Sequence, residues 1–216
     1  MQDRIDLKDW AFYFITDEHL TKKGVIRDVQ EALDGGAKVI QYRRKEGDTL
    51  EMYKEASTLK KMVDTAGADL IINDRIDVAM AVGAQGVHLG QSDMPLEVAR
   101  TLMPEGIIGV SVGSLKELER GLQNEASYIA VSPVWETPTK ADAGPGLGTT
   151  FIKNARKITD IHIAAIGGIK MGNLDEVLSA GADSVCAISA TVSVKDTRGA
   201  VEAFEKRVRE GRIRRV

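Results

Sequence analysis

The sequence lacks several features that would point to particular classes of protein. It contains one cysteine, Cys186, so no disulfide can form within the chain. The formal net charge is -3, and without an excess of basic residues the chain has no bulk electrostatic footprint for nucleic acid. The His-rich or Cys-rich spacing of a zinc site is also missing. Any anion site must therefore be built locally.

Long apolar runs are absent as well, and no segment has enough consecutive apolar residues to span a bilayer. The start of the chain, Met1 to Asp6, lacks the apolar stretch of a secretory signal. Cys186 lies in the apolar stretch Val185 to Ile188, which favours an inert buried thiol over a reactive one. We expect a cytoplasmic protein that binds neither membranes nor nucleic acid.

A short phrase recurs along the chain, in which Gly-Ala precedes an apolar run. It occurs at Gly36-Ala37, Gly67-Ala68, Gly83-Ala84 and Gly181-Ala182. Glycine reaches positive φ at little cost, so each phrase predicts the end of a helix and a turn into the next strand. Segments with helical spacing, such as Leu59, Met62 and Val63, lie between these runs. Strands and helices are therefore predicted to alternate.

Eight strands are predicted in this way. They are Ala11 to Thr16, Lys38 to Arg43, Asp69 to Asn73, Gly86 to Gly90, Ile107 to Val112, Tyr128 to Val134, His162 to Ile166 and Ser184 to Ser189. Eight alternating units in a chain of 216 residues fit a closed barrel, whereas an open doubly wound sheet usually has fewer strands and leaves two edges. We expect one (β/α)8 TIM-barrel domain spanning residues 1–216.

Polar clusters follow several of these strands, at Gln41 to Lys45, Asn73-Asp74, Gln91 to Asp93 and Thr137 to Lys140. The carboxyl ends of barrel strands converge on one face, so the clusters are expected to be neighbours. The cations are Arg43, Lys45 and Lys140, and the neutral donors suited to phosphate oxygens are Asn73, Ser111, Thr137 and Thr139. This composition predicts a phosphate site.

Two acidic residues, Asp74 and Asp93, lie among these phosphate-binding groups. A carboxylate about 4 Å from a phosphate charge loses roughly 4 kcal/mol at an effective dielectric near 20, so a cation is expected between them. Mg²⁺ accepts one or two carboxylates together with phosphate oxygens. The pair therefore predicts a magnesium-diphosphate site, although either Asp taken alone also suits a helix N-cap.

Two further features point to the barrel interior and to a second anion site. Gly167-Gly168 follows the seventh strand and Ile188-Ser189 lies at the end of the eighth, where barrels often bind a phosphate through backbone N–H groups; a Gly-Gly pair also makes a plain turn. His88 is expected to face the interior, as a hydrogen-bonded structural residue or as a catalytic one.

Taken in order, the clusters resemble those of the thiamine phosphate synthase family. The resemblance rests on Gln41 to Lys45, Leu70 to Arg75, Gly86 to Asp93, Ile108 to Ser111, Thr137 to Lys140, Ala165 to Ile169 and Ala187 to Ser189. It implies the coupling of 4-amino-2-methyl-5-(diphosphooxymethyl)pyrimidine to 4-methyl-5-(2-phosphooxyethyl)thiazole, giving thiamine phosphate and diphosphate. It also implies Mg²⁺ as cofactor, two phosphorylated small-molecule partners, and a possible homo-oligomer.

The resemblance assigns roles to individual residues. The family is understood to ionise the pyrimidine diphosphate first and to trap the carbocation with the thiazole. Gln41 would contact the aminopyrimidine, and Asp74 and Asp93 would hold Mg²⁺. The diphosphate would be held by Arg43, Lys45, Asn73, Ser111, Thr137, Thr139 and Lys140, among which Arg43, Lys45, Ser111 and Lys140 would be catalytic. The thiazole phosphate would be held by Gly168, Ile188 and Ser189.

The chain departs from the family pattern at a few positions. Ser132 to Trp135 stands where Gly-Pro-Ile/Val-Phe is expected, and Tyr42 and Arg44 replace Leu and Glu. The alternative within the same superfamily is a thiazole tautomerase, which needs a proton-shuttling base but no metal-diphosphate site. The set Asp74, Asp93 and Lys140 favours the synthase.

Overall fold

The computed structural model describes residues 7–137 and 144–213. Its strands are β1 (Tyr13–Ile15), β2 (Val39–Tyr42), β3 (Asp69–Asn73), β4 (Gly86–Leu89), β5 (Ile107–Val112), β6 (Tyr128–Val131), β7 (His162–Ile166) and β8 (Ser184–Cys186). Its helices are α1 (Val25–Asp34), α2 (Thr49–Ala66), α3 (Ile76–Val82), α4 (Leu96–Leu102), α5 (Leu115–Gln123), α6 (Gly148–Ile158), α7 (Leu174–Ser179), α8 (Ile188–Thr191) and α9 (Thr197–Ile213).

The strands form one parallel sheet in chain order, from β1 to β8. The first and last strands also meet, because Phe12 forms a parallel bridge with Val185 and the Val185 N–H donates to the Ala11 carbonyl at 3.2 Å. The sheet thus closes on itself with the helices outside it. The predicted (β/α)8 barrel is confirmed.

The recurring Gly-Ala phrase acts as predicted at the ends of helices. Asp48 begins α2, its side chain accepting from the Glu51 N–H, and Gly67 ends it in the left-handed conformation with φ 60°. Gly83 ends α3 in the same way with φ 65°. A residue with a Cβ rarely adopts this conformation, so glycine lets the chain reverse at once into β3 and β4.

The core has two layers. The larger one fills the space between the sheet and the helices. The smaller one lies inside the barrel and includes Trp10, Tyr13, Ile71 and Tyr128. Gly109 on β5 makes room for the Tyr128 ring, since a Cβ there would lie 1.9 Å from Tyr128 Cζ.

Two predicted strands end three residues earlier than expected. The predicted strand Ser184 to Ser189 stops at Cys186, where its last partner is Ile166, and Ile188 begins α8. Gly167 turns out of line with φ 105°, so β7 no longer runs beside the chain beyond Cys186. The predicted strand Tyr128 to Val134 stops at Val131, just before Pro133, which has no N–H to donate.

In the part of the chain that the structure describes, no helix has both the length and the apolar character needed to cross a membrane.

Candidate active site

The carboxyl ends of β3 and β4 bring the two predicted acidic residues together. Asp74 follows β3 with φ 61°, and its N–H donates to the His88 carbonyl of β4 at 2.8 Å. A non-glycine residue with positive φ stores backbone strain, which is common at functional sites. The strained turn holds Asp74 at the rim beside the loop that follows β4.

Asp93 lies in that loop and is held by its own turn. Its Oδ2 accepts from the Gly90 N–H at 2.6 Å. Partial burial raises the pKa of Asp93, and a side-chain hydrogen bond with Asp74 raises it further. The two carboxyl groups therefore lie close together on the same rim, and Asp74 disfavours the charged form of Asp93.

The predicted cations lie beside this pair. Lys45 Nζ is 2.5 Å from Asp74 Oδ2, so one ammonium group already offsets part of the negative charge. Arg43 Nη1 donates to Asp17 Oδ2 at 2.7 Å. Asp17 is 3% exposed and its other oxygen accepts from the N–H groups of His19 and Leu20. Asp17 thus positions Arg43.

Sequence analysis missed Asp17. The signal was present, because Asp17 directly follows the run Ala11 to Thr16, as Asp74 follows β3. The residues that directly follow the first predicted strand include no Lys or Arg, so they do not have the composition of a phosphate site.

Asn73, the last residue of β3, presents a free donor. Its Nδ2 is buried and has no hydrogen-bond partner in the described structure. A buried amide nitrogen without a partner is costly and uncommon in folded proteins. The atom is therefore suited to a ligand oxygen, the role predicted for Asn73.

Five side chains form a hydrogen-bonded chain through the barrel interior: Gln41, Tyr13, Tyr128, His88 and Ser111. Gln41 Nε2 donates to the Tyr13 hydroxyl at 2.8 Å, and the two tyrosine hydroxyls are 2.7 Å apart. The Tyr128 hydroxyl lies 3.0 Å from His88 Nδ1, and His88 Nε2 lies 2.9 Å from Ser111 Oγ. His88 faces the interior as expected. The sequence places both tyrosines in predicted strands and gives no sign of this contact.

The residues of the predicted second phosphate site follow β7 and β8. Gly167 and Gly168 both have positive φ, at 105° and 65°. The Trp135 N–H donates to the Gly167 carbonyl, and a Cβ at Gly168 would lie 2.9 Å from Trp135 Cβ, so glycine is required by this close approach. Ile188 and Ser189 form the first turn of α8.

The remaining predicted site residues lie in the loop after β6. Thr137 is partly buried and is the last described residue of its segment. Thr139 and Lys140 lie outside the described residues.

The acidic pair fits magnesium better than a metal bound only by protein. Across residues 7–137 and 144–213, no group of three or more His, Cys, Asp or Glu side chains is arranged to hold a metal. Mg²⁺ commonly takes one or two carboxylates and completes its shell with substrate phosphate oxygens and water. Asp74 and Asp93 match that donor set.

Comparisons with known proteins agree with this arrangement. A family profile described as thiamine monophosphate synthase matches residues 12–191. The chain belongs to this family. It is 42% identical over 207 residues to the thiamine-phosphate synthase of Methanosarcina barkeri, covering 95% of this chain and 94% of that protein. It is 44% identical over 198 residues to the thiamine-phosphate synthase of Methanospirillum hungatei, covering 91% and 96%.

The solved structures point the same way. The thiamine phosphate pyrophosphorylase from Pyrococcus furiosus superposes with a TM-score of 0.89 and 39% identity, over 95% of this chain and 99% of that one. The chain is accordingly an enzyme of the thiamine-phosphate synthase type, and the family that the sequence resembles is confirmed. The same comparison favours the synthase over the tautomerase.

Proposed function

We propose that the enzyme couples 4-amino-2-methyl-5-(diphosphooxymethyl)pyrimidine to 4-methyl-5-(2-phosphooxyethyl)thiazole, releasing diphosphate and forming thiamine phosphate. The observation that carries this proposal is the position of Asp74 on the rim, with Lys45 Nζ 2.5 Å from its Oδ2, beside the loop in which the Gly90 N–H holds Asp93. Two adjacent carboxylates beside cations suit a divalent ion and a polyphosphate better than a neutral substrate.

Asp74 and Asp93 would hold Mg²⁺, which would supply positive charge to the departing diphosphate. Arg43 and Lys45 would bind the diphosphate oxygens, and the unpartnered Asn73 amide would donate to one of them. Ser111, Thr137, Thr139 and Lys140 are proposed to complete this set. Groups fixed in place before the reaction stabilise the developing charge without having to reorganise, so they are the main source of catalysis here.

The other substrate groups would be bound on either side. Gln41 is 3% exposed and is proposed to contact the aminopyrimidine ring from the barrel interior. Gly168, Ile188 and Ser189 would bind the thiazole phosphate. The thiazole nitrogen attacks with its own lone pair, so no side chain has to act as a base toward it. Ionisation of the pyrimidine diphosphate would come first, because the charged groups proposed to bind the diphosphate would stabilise it as it leaves.

One assay tests the proposal directly. Diphosphate release should require Mg²⁺ and both substrates together. Asp74→Ala and Asp93→Ala should each lower turnover sharply and weaken the response to magnesium, while circular dichroism shows an unchanged fold. Diphosphate release from the pyrimidine substrate alone at the full rate, or an unchanged magnesium response in both variants, would contradict the proposal.

A further inference from the structure

The number of protons available determines which group donates in each hydrogen bond of the series through the barrel. An amide NH2 group only donates, so the Tyr13 hydroxyl accepts from Gln41 Nε2. Tyr13 has one proton, and donating it to the Tyr128 hydroxyl is the arrangement that leaves no buried hydroxyl proton without an acceptor. Tyr128 in turn donates to His88 Nδ1. Burial raises the pKa of both tyrosines above the ordinary value of 10.0, so each keeps the proton that this sequence of bonds needs.

The direction continues to the far end. Because His88 Nδ1 accepts, the neutral ring carries its proton on Nε2, and that N–H donates to Ser111 Oγ. The Ser111 hydroxyl can then donate its proton to a group that is not one of these five side chains. At the other end of this hydrogen-bonded series, the Gln41 amide oxygen can likewise accept from a donor that is not one of the five side chains.

The opposite direction is also self-consistent, but only if every bond reverses together. A turned Gln41 amide would accept from Tyr13, and the reversal would pass through Tyr128 and His88 until Ser111 donated to the imidazole. Ser111 would then present lone pairs to the site instead of a proton. The orientation of the amide at one end is therefore linked to that of the hydroxyl at the other.

We propose that Tyr13, Tyr128 and His88 are positioning residues that make Gln41 present its amide oxygen and Ser111 present its hydroxyl proton. The ligands at the two ends rest on the proposed function: an exocyclic amine for the acceptor at Gln41, and a phosphate oxygen for the donor at Ser111. An anion accepts hydrogen bonds and cannot donate them once ionised, so the inferred direction is the one that a diphosphate requires.

Packing holds the rings in place. The His88 and Tyr128 rings are stacked with centroids 5.6 Å apart, and the Tyr13 and Tyr128 rings meet edge to face at 5.8 Å. Trp10 packs against both tyrosines, with centroids 5.3 Å away. The absence of a side chain at Gly109 lets the Tyr128 ring lie there. Because the rings are held by packing, each tyrosine hydroxyl can reach only the hydrogen-bond partners given above.

The first test measures the His88 tautomer in the free wild-type protein by ¹⁵N NMR, with two-bond ¹H–¹⁵N correlations on labelled protein. The sequence has three histidines, so the His88 signals are identified by their loss in His88→Gln. The proposal expects a proton on Nε2 and none on Nδ1. A proton on Nδ1, or an equal mixture of tautomers, would overturn it. This result does not depend on the reaction that the enzyme catalyses.

The second test interrupts the chain with Tyr128→Phe and measures the affinity for inorganic diphosphate with magnesium by calorimetry. Without the Tyr128 hydroxyl, nothing makes the Ser111 hydroxyl donate toward the site. We therefore expect diphosphate to bind roughly fivefold more weakly, which corresponds to the net contribution of one hydrogen bond. Tyr42→Phe is the matched control, because Tyr42 is also buried and its hydroxyl donates to Glu55 Oε2 at 2.7 Å. Neither residue belongs to the five hydrogen-bonded side chains.

Equal affinities of Tyr128→Phe and Tyr42→Phe would overturn the proposed link between the two ends. The failure of the proposed function would look different: the wild-type enzyme would release no diphosphate from the two substrates, whatever the tautomer of His88.

Discussion

The two ends of the barrel contain similar polar residues but use them differently. At the amino ends of the strands, Trp10 Nε1 donates to Asp69 Oδ2 at 2.6 Å and His162 Nε2 lies 2.8 Å from Ser184 Oγ. Arg212 donates to the Lys8 carbonyl at 2.6 Å and to the Asp183 carbonyl. These groups are satisfied by the chain itself, and they close this end.

The carboxyl ends retain unsatisfied groups. The Asn73 amide nitrogen is buried without a partner in the described part of the chain, Asp74 adopts positive φ, and Asp93 has a raised pKa caused by burial and then by Asp74. Each feature costs stability in the free protein, and each would be relieved by a bound ion or phosphate. The contrast supports the proposal that ligands bind at the carboxyl ends, where the fold leaves polar groups without full compensation.

The largest expected effect tests this contrast with two matched carboxylates. Asp93→Asn should lower turnover by about 100- to 1000-fold, as the loss of an electrostatic group at the reacting charge does. Asp69→Asn removes one charge at the opposite end and should leave turnover near the wild-type rate. Steady-state assays with both substrates measure the difference. Similar losses of turnover in the two variants would contradict the proposal that the active site lies at the carboxyl ends of the strands.

Stability should rise in both variants, although turnover falls in only one of them. Burial is the main cause that raises the pKa of each carboxyl above 3.8 in the folded protein, so the folded state binds the proton more tightly and loses stability as the pH rises from 3.8 through the folded value. Both variants should therefore gain stability relative to wild type at neutral pH, and the gain should vanish below pH 3.8. Urea unfolding at the two pH values measures it.

The second prediction concerns the closed end. Burial lowers the pKa of His162 from 6.5 to about 4, with Asp183 opposing and Arg212 and Arg156 assisting the shift. The unfolded chain takes up the proton first, so the free energy of unfolding should fall by about 3 kcal/mol as the pH drops from 6.5 to 4.

His162→Gln should remove this pH dependence in urea unfolding, whereas His19→Gln, at a histidine whose side chain is 62% exposed, should leave it unchanged. The same slope in His162→Gln as in wild type would show that other groups cause the acid sensitivity.

The smallest effect compares two amides on the open rim. Asn73→Leu removes the unpartnered amide and should lower turnover about tenfold while leaving stability equal or higher by ~1 kcal/mol. Asn173 is the control, because its Nδ2 donates to the Gly168 carbonyl at 3.0 Å and its Oδ1 accepts from the Lys170 N–H at 2.8 Å. Asn173→Leu should instead lose about 1 kcal/mol in thermal unfolding. A stability loss in Asn73→Leu would show that the amide is satisfied in the free protein.

The barrel was predictable because its signals are local. The Gly-Ala phrases mark helix ends through the φ that glycine permits, as Gly67 and Gly83 show, and buried parallel strands read as short apolar runs. The end of β8 at Cys186 was not predictable, because it depends on where the neighbouring strand β7 turns away at Gly167, whereas Pro133 marks the end of β6 in the sequence. An apolar run such as Val185 to Ile188 fits a strand or a short helix equally well.

The clustering of Asp74, Asp93 and Lys45 also followed from the sequence, since strand ends meet at one rim whatever the details of packing. The roles of Tyr13 and Tyr128 did not follow, because an aromatic residue in a strand is ordinarily core. Nothing along the chain shows that residues 115 positions apart place their hydroxyls within 2.7 Å.

The sequence by itself determined the alternation of strands and helices, the closed barrel and the rim on which charge gathers, because these depend on backbone conformation and on the order of elements. Only the tertiary structure decided which polar groups compensate one another. Asp69 has a partner and the Asn73 amide nitrogen has none within the described residues, since hydrogen bonding requires distances of about 3 Å that packing alone sets.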